Sequence, residues 1–474
     1  MKKIMIGLAL IATAGAFTAC DGFLEEEPLM KQSNELTYAN FDGLNQAGAA
    51  LYSRMQSATW YDGQFVLQSE LRGGNAKNPL SIPGSGRYRQ DTQWNYSSNN
   101  TSSLWTHAYY TISWANNIIN NLPSCDMGKA TEQDANNLKA EALFVRALCH
   151  FDLVITYAQS YKCGTNNPGV PVILKTENGQ PARNTVGEVY DQIVKDLLEA
   201  ESLMDDKYVR SGVDDAAAAC TKPAIQALLS RVYLYMENWQ GAADYATKVI
   251  NNSKYSLAEG DAYLGMFSAA TAPKGEIIFE VYGSKKNDYW DESGWTHLPY
   301  ITSWGDGNDG SADVCATTDL VDMYEASDVR LKLFTKNEND NLITKYAGKA
   351  GSIPRETNVP ILRLSEMYLN RAEAISKGAS VSGVSARGDL EAIASKRGAT
   401  VPAQFNVLDE RRKELMFEGH IVYDLARTQT ALKRTDFDGT VNKDIPAAPD
   451  YRWAMPIPKR ELDANRNMTQ NEGY

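Results

Sequence analysis

Between Val186 and Met204 the apolar residues Val186, Tyr190, Ile193, Leu197, Ala200 and Met204 return at alternating steps of four and three, the spacing of one face of an α-helix. So continuous a face has to be buried against another helix, which confines the chain to folds in which helices pack on helices. The same period runs through Phe41, Leu44, Ala47, Leu51 and Met55 in a predicted helix over about 35–56. It returns in Trp105, Tyr109, Ile112, Asn116 and Ile119 after Leu104, and residues 135–157 are helical in composition.

Helix pairs then become a motif. Residues 222–236 and 239–251 predict two short helices about a tight turn, with Leu229, Ser230, Tyr233, Trp239 and Ala242 at the offsets of a tetratricopeptide repeat. Gln226 and Ala246 depart from that pattern. The runs 134–157 with 186–204, and 361–377 with 408–418, are candidates for further pairs. Two stretches break the helical order: residues 58–103 and 252–360 are rich in Gly, Asn, Ser and aromatics, and contain one strand-like run, Glu276 to Tyr282. The expected fold is mainly α, a tetratricopeptide-like helix-pair scaffold over about 104–251 and 361–427, with long irregular excursions over about 58–103 and 252–360 and a few short strands. Structureless loops longer than about 12–15 residues are uncommon in compact domains unless they have a function, so the excursions are where ligand contacts are expected.

The amino terminus reads as an address. Lys2 and Lys3 precede an uncharged, mostly apolar run from Ile4 to Ala19, with small residues ahead of Cys20. A spanning helix needs about 18 or more apolar residues and this run is shorter. Residues 1–19 therefore read as a signal peptide, and the acidic stretch from Asp21 through Glu25, Glu26 and Glu27 as part of a tether over 20–34, followed by one domain over 35–474. Similarity to bacterial lipoprotein precursors implies cleavage before Cys20 and acylation of that residue, which anchors the chain to a membrane without spanning it. The competing reading is an ordinary secretory cleavage close to a cysteine.

A formal net charge of −12, with no basic stripe, excludes nucleic-acid binding. Besides Cys20 the cysteines are 125, 149, 163, 220 and 315, an odd number without a close C-x-x-C pair, so a disulfide scaffold is not expected. No H-E-x-x-H, G-x-S-x-G or P-loop is present, and the histidines at 107, 150, 297 and 420 are scattered. No cofactor or metal is expected. The stretch Asp306 to Gly310 is similar to a calcium loop, but Thr317 stands where the closing Glu belongs. The acid cluster Asp409, Glu410, Glu414 and Glu418 lies beside Arg411, Arg412 and Lys413, at spacings that predict ion pairs along a helix.

Aromatics carry more information. Seven of the 9 tryptophans fall in two windows, at 60, 94, 105 and 114 and at 290, 295 and 304. A sugar ring presents an apolar face of C–H groups that lies flat on indole or phenol, while its hydroxyls need amide, carboxylate or guanidinium partners. Trp94, Asn95 and Tyr96 with Arg87 offer both, as do Trp290, Trp295, Tyr300 and Trp304 with Asn287 and Asp291. The alternative for each ring is that it plugs its loop onto the scaffold.

Several stretches together resemble one family, the SusD/RagB outer-membrane lipoproteins of Bacteroidetes. They are Cys20-Asp21-x-Phe23-Leu24-Glu25 with Pro28; Ala140 to Ala147 continuing to Tyr157; Leu362 to Ala374; Glu410-Arg411-Arg412-x-Glu414-Leu415-x-Phe417-Glu418-Gly419 leading to Asp424; and Pro456-Ile457-Pro458 through Tyr474. Ile421 replaces the family's usual Arg. The resemblance does not extend to the aromatic loops. It implies a largely helical, non-enzymatic, surface-exposed lipoprotein of the outer membrane that binds glycans and acts as the lid of a SusC-like TonB-dependent transporter. A peptide ligand, as in RagB-like members, is the alternative, followed by a secreted glycosidase with an unrecognised carboxylate pair.

Overall fold

The computed structural model describes residues 37–82, 86–213, 215–269, 275–283, 297–303, 310–349, 356–437, 439 and 441–474. Cys20, the signal and tether, Trp290, Trp295, Trp304 and the stretch 306–309 lie outside the described residues. Among the described residues, helices of eight or more residues are α1 Phe41–Arg54, α2 Gln64–Gly73, α3 Leu104–Asn121, α4 Glu132–Tyr157, α5 Val186–Leu203, α6 Lys222–Tyr235, α7 Trp239–Ile250, α8 Leu364–Ser376, α9 Ala386–Arg397, α10 Val407–Glu414 and α11 Ile421–Thr428. None is long and apolar enough to cross a membrane.

Neighbours in sequence are mostly neighbours in space. α3 packs on α4, α4 on α5, α5 on α6, α6 on α7, α7 on α8 and α8 on α9. Several helices start where a side chain satisfies their free amides: Asn40 caps α1 and Asn238 caps α7, Thr131 and Asp134 form a capping box on α4, and Thr185 and Glu188 do the same on α5. The α6–α7 pair is close because small side chains line it. Ala242, Ala243 and Ala246 are buried, and the Ser230 hydroxyl donates to the Ala242 carbonyl at 2.9 Å.

The predicted pairs α4 with α5 and α6 with α7 are present. The third is corrected: α8 packs mainly between α7 and α9, a helix the hydrophobic pattern does not announce, and touches α10 less extensively. The first excursion holds a ten-residue helix, α2, which is almost wholly buried. Strand β2, Ile277–Val281, forms where expected. Its antiparallel partner, β6, Val359–Arg363, occupies the start of what reads in sequence as helix, because the apolar run there is buried on both faces and carries no helical period.

The acid cluster also differs from expectation. Only Glu410 with Lys413 pairs along the helix; Glu414 instead receives Arg330, Arg363 and Arg397 from three other segments, and Glu418 receives Arg363 and Lys345. These charges are fully buried, and removing one partner of such a set typically costs about 3–5 kcal/mol.

A four-stranded sheet joins the two excursions. β1, Ala76–Lys77, pairs with β3, Cys315–Ala316; β3 pairs with β5, Asp340–Ile343; and β5 forms a hairpin with β4, Phe334–Asn337. The carboxyl-terminal segment returns to the first half of the chain. Arg72 donates to the Arg452 carbonyl at 2.9 Å, the Met455 amide to the Thr156 carbonyl at 2.8 Å, and the Asn471 side chain to the Tyr157 carbonyl at 2.8 Å.

Candidate functional site

The β1–β3 pairing, with Ala76 opposite Ala316 and Lys77 opposite Cys315, brings the start of one excursion against the middle of the other. Just beyond it, the Asn78 side-chain amide donates to both the Arg87 carbonyl, at 2.9 Å, and the Asp313 carbonyl, at 3.1 Å. That bridge sets Arg87 beside Asp313, and the two form an ion pair at 3.2 Å. Asp313 is buried and takes the Ser311 hydroxyl at 2.5 Å, while the Arg87 side chain is 48% exposed, so the anchor is internal and the guanidinium faces solvent. Burial opposes the Arg87 charge, but the Asp313 carboxylate and the Tyr300 hydroxyl outweigh it and raise its pKa.

Tyr300 lies in the short helix His297–Thr302, and the Arg87 guanidinium stands 5.7 Å from its ring centroid. His297, at the start of that helix, has its amide on the Asp62 carboxylate at 2.8 Å and its Nε2 2.6 Å from the Tyr88 hydroxyl. Burial, then Asp91, pushes the Tyr88 phenol up, so it stays protonated. Tyr88 itself has φ of 64°, the left-handed region, which costs a non-glycine residue on the order of 1–3 kcal/mol and concentrates at functional sites.

Arg87 and Tyr300, predicted from separate windows, are thus brought together. Asn95 is exposed nearby in sequence. Trp94 and Tyr96 are not at the surface. The Trp94 ring is 3% exposed, donates from Nε1 to the Arg72 carbonyl at 3.1 Å and meets Trp453 edge-on at 5.0 Å; Tyr96 donates to buried Asp91 at 2.7 Å. Trp60 is likewise enclosed, its Nε1 on Asp152 at 2.8 Å. These rings plug the excursion onto the scaffold because each indole or phenol finds a buried acceptor there. Sequence reasoning missed Tyr88, His297 and Asp313: an isolated Asp or His in a loop has no spacing that marks it, and only the strand pairing shows what it faces.

An exposed guanidinium, two half-buried phenols and an imidazole in one cluster can stack an apolar face and bond to hydroxyls. Among the described residues no group of three or more His, Cys, Asp or Glu could hold a metal.

Residues 22–234 match a family model described as starch-binding, associating with the outer membrane, and residues 332–474 match that of the SusD family. The chain belongs to the SusD/RagB family. It is 28% identical to SusD-like protein P2 of Formosa agariphila, over 95% of this chain and 96% of that protein. It is 23% identical to the starch-binding protein SusD of Bacteroides thetaiotaomicron, over 80% of each. The crystal structure of a SusD superfamily protein from Bacteroides vulgatus superimposes with a TM-score of 0.81 at 28% identity, covering 92% of this chain and 99% of that one. The mainly α architecture with few short strands is therefore that of SusD superfamily structures, and family members are associated with the outer membrane.

Proposed function

We propose that this SusD/RagB member is a cell-surface lipoprotein that captures oligosaccharide at the Arg87, Tyr88, His297, Tyr300 cluster and passes it to a SusC-like transporter. The observation that carries the reading is the meeting of two aromatic-rich excursions at an anchored, solvent-facing arginine, in a chain whose family model is described as starch-binding. Trp290, Trp295 and Trp304 belong to the same excursion as Tyr300 and are proposed as further stacking surfaces, with Asn95 at the edge. In this reading residues 1–19 are removed and acylated Cys20 holds the protein at the outer membrane. No step of covalent chemistry is assigned to the site.

The test is binding of a lipid-free protein beginning after Cys20 to a broad panel of neutral oligosaccharides, followed by calorimetry on variants. Arg87→Ala and Tyr300→Ala are expected to weaken binding about tenfold or more each, as central interface side chains do. Binding of no glycan, together with co-purifying peptides identified by mass spectrometry, would sink the glycan reading in favour of peptide capture.

A further inference from the structure

A second cleft shares none of its lining residues with the Arg87 cluster. One wall is a single face of α3, where Thr106, Tyr110 and Ser113 follow at steps of four and three. Facing it are the segment 171–181 and the short helix Lys459–Ala464. The cleft has two parts, of about 640 Å³ and 450 Å³, that share Thr106, Arg460 and Ala464, each within the range of about 300–1,000 Å³ usual for ligand pockets.

The walls are fastened to one another. Tyr109 donates to the Pro171 carbonyl at 2.9 Å and Asn116 to the Ile173 carbonyl at 2.9 Å, tying α3 to one wall. Asn465, just past the carboxyl-terminal helix, donates to the Pro181 carbonyl at 2.8 Å, and the Lys459 amide donates to the Ser98 carbonyl at 2.9 Å, tying that helix to the segment 171–181 and to the loop before α3. A cleft with fixed walls spends little ordering itself around a ligand.

Its two parts differ in chemistry. The larger is lined by small hydroxyl and amide side chains, Ser98, Asn99, Thr101, Ser103 and Thr106 among them. The smaller is lined mainly by Trp105, Tyr109, Tyr110, Pro171, Ile173 and Met468, with Arg460, Glu461 and Asn465 also contributing. Tyr110 is half exposed and held in place, with the Arg54 guanidinium 4.3 Å from its ring centroid and Trp114 at 5.8 Å. The charges on the short helix balance, Lys459 and Arg460 against Glu461 and Asp463, with Lys459 paired to Asp463 at 2.7 Å. A balanced rim offers no field to draw in an anion. An aromatic, apolar half joined to a hydroxyl- and amide-lined half suits a ligand with C–H faces and many uncharged hydroxyls.

We propose that this cleft is a second binding site for neutral oligosaccharides, so that one molecule holds glycan at two separate places. The ligand class rests on the reading given for the Arg87 cluster; the site does not. Calorimetry with malto-, cello-, xylo- and manno-heptaose on four proteins separates the two: wild type, the Arg87→Ala/Tyr300→Ala pair, Tyr110→Ala alone, and the three substitutions together. The Arg87/Tyr300 pair is expected to retain binding to at least one of these glycans, and adding Tyr110→Ala to reduce that residual affinity about tenfold or more. Tyr110→Phe in the same background is expected to restore it, since stacking needs the ring and not the hydroxyl. Residual binding that is absent in the pair variant, or indifferent to Tyr110→Ala, overturns the second site and leaves the first standing. A wild-type protein that binds none of the four overturns the cleft proposal as stated, whereas retention of binding to other neutral glycans in the wider panel would still uphold the first reading.

Discussion

At the scale of single residues, the most consequential groups are buried carboxylates with opposite fates. Asp152 accepts the Trp60 indole at 2.8 Å and the Tyr61 hydroxyl at 2.6 Å, yet burial pushes its pKa up to about 7. Glu70 behaves alike, also rising to about 7 through burial. Asp424 is buried too, but Arg411 and Arg427 hold it well below the usual carboxylate range. A carboxyl whose folded pKa lies above its unfolded value of about 3.9 keeps its proton longer in the native state. Between about pH 4 and 7 the folded form then binds more protons, and stability from that group declines as pH rises. Asp152→Asn keeps an acceptor for both donors and removes the titration. Urea midpoints measured from pH 4 to 8 are expected to slope less steeply downward in the variant, with a gain on the order of a few kcal/mol at pH 8. An identical slope in both proteins contradicts the assignment.

At the scale of elements, α2 and α11 cross where Gly73 leaves room for Ile421. A Cβ added at Gly73 falls 2.3 Å from Ile421 Cγ2, closer than packing permits. Gly73→Ala is expected to cost about 1–3 kcal/mol, in the manner of an overpacked core. Ile421→Ala in the same chain is expected to recover part of that loss, so chemical denaturation of both single variants and the double variant should reveal strong non-additivity. Simple additivity would mean that the two helices do not meet there. This crossing also illustrates what sequence makes legible. The apolar periods of α1, α3 and α5 are local and announce their helices. α2 is buried nearly all round and α9 has a short apolar face among charges, so neither shows a clean period. For the site, residue type alone singled out Arg87 and Tyr300, which the structure places side by side. It misjudged Trp94, because whether an indole faces solvent depends on Trp453, far along the chain.

At the scale of the whole molecule, the proposed anchor is expected to be separable from the folded body. Tyr38, ahead of α1, already packs against the core, and Asn40 bridges to Asp126. Cys20→Ala is expected to leave circular dichroism and glycan affinity in solution unchanged while abolishing surface display in intact cells, measured by protease accessibility and fractionation. Loss of fold in that variant would show that the amino-terminal region is structural.

The helix layers follow chain order, so each can settle on its predecessor while later residues are still being made. Exceptions are the crossing of α11 on α2 and the carboxyl-terminal segment, where Met455 and Asn471 secure the end of α4 at Thr156 and Tyr157. Consolidation of the earliest layers therefore waits for the last residues synthesised. A ribosome, or an export channel feeding the chain through amino terminus first, handles a succession of partly settled helices until the final stitch arrives. The order of assembly is written into the connectivity, and a chain stopped short of residue 455 would carry its layers without their clasp.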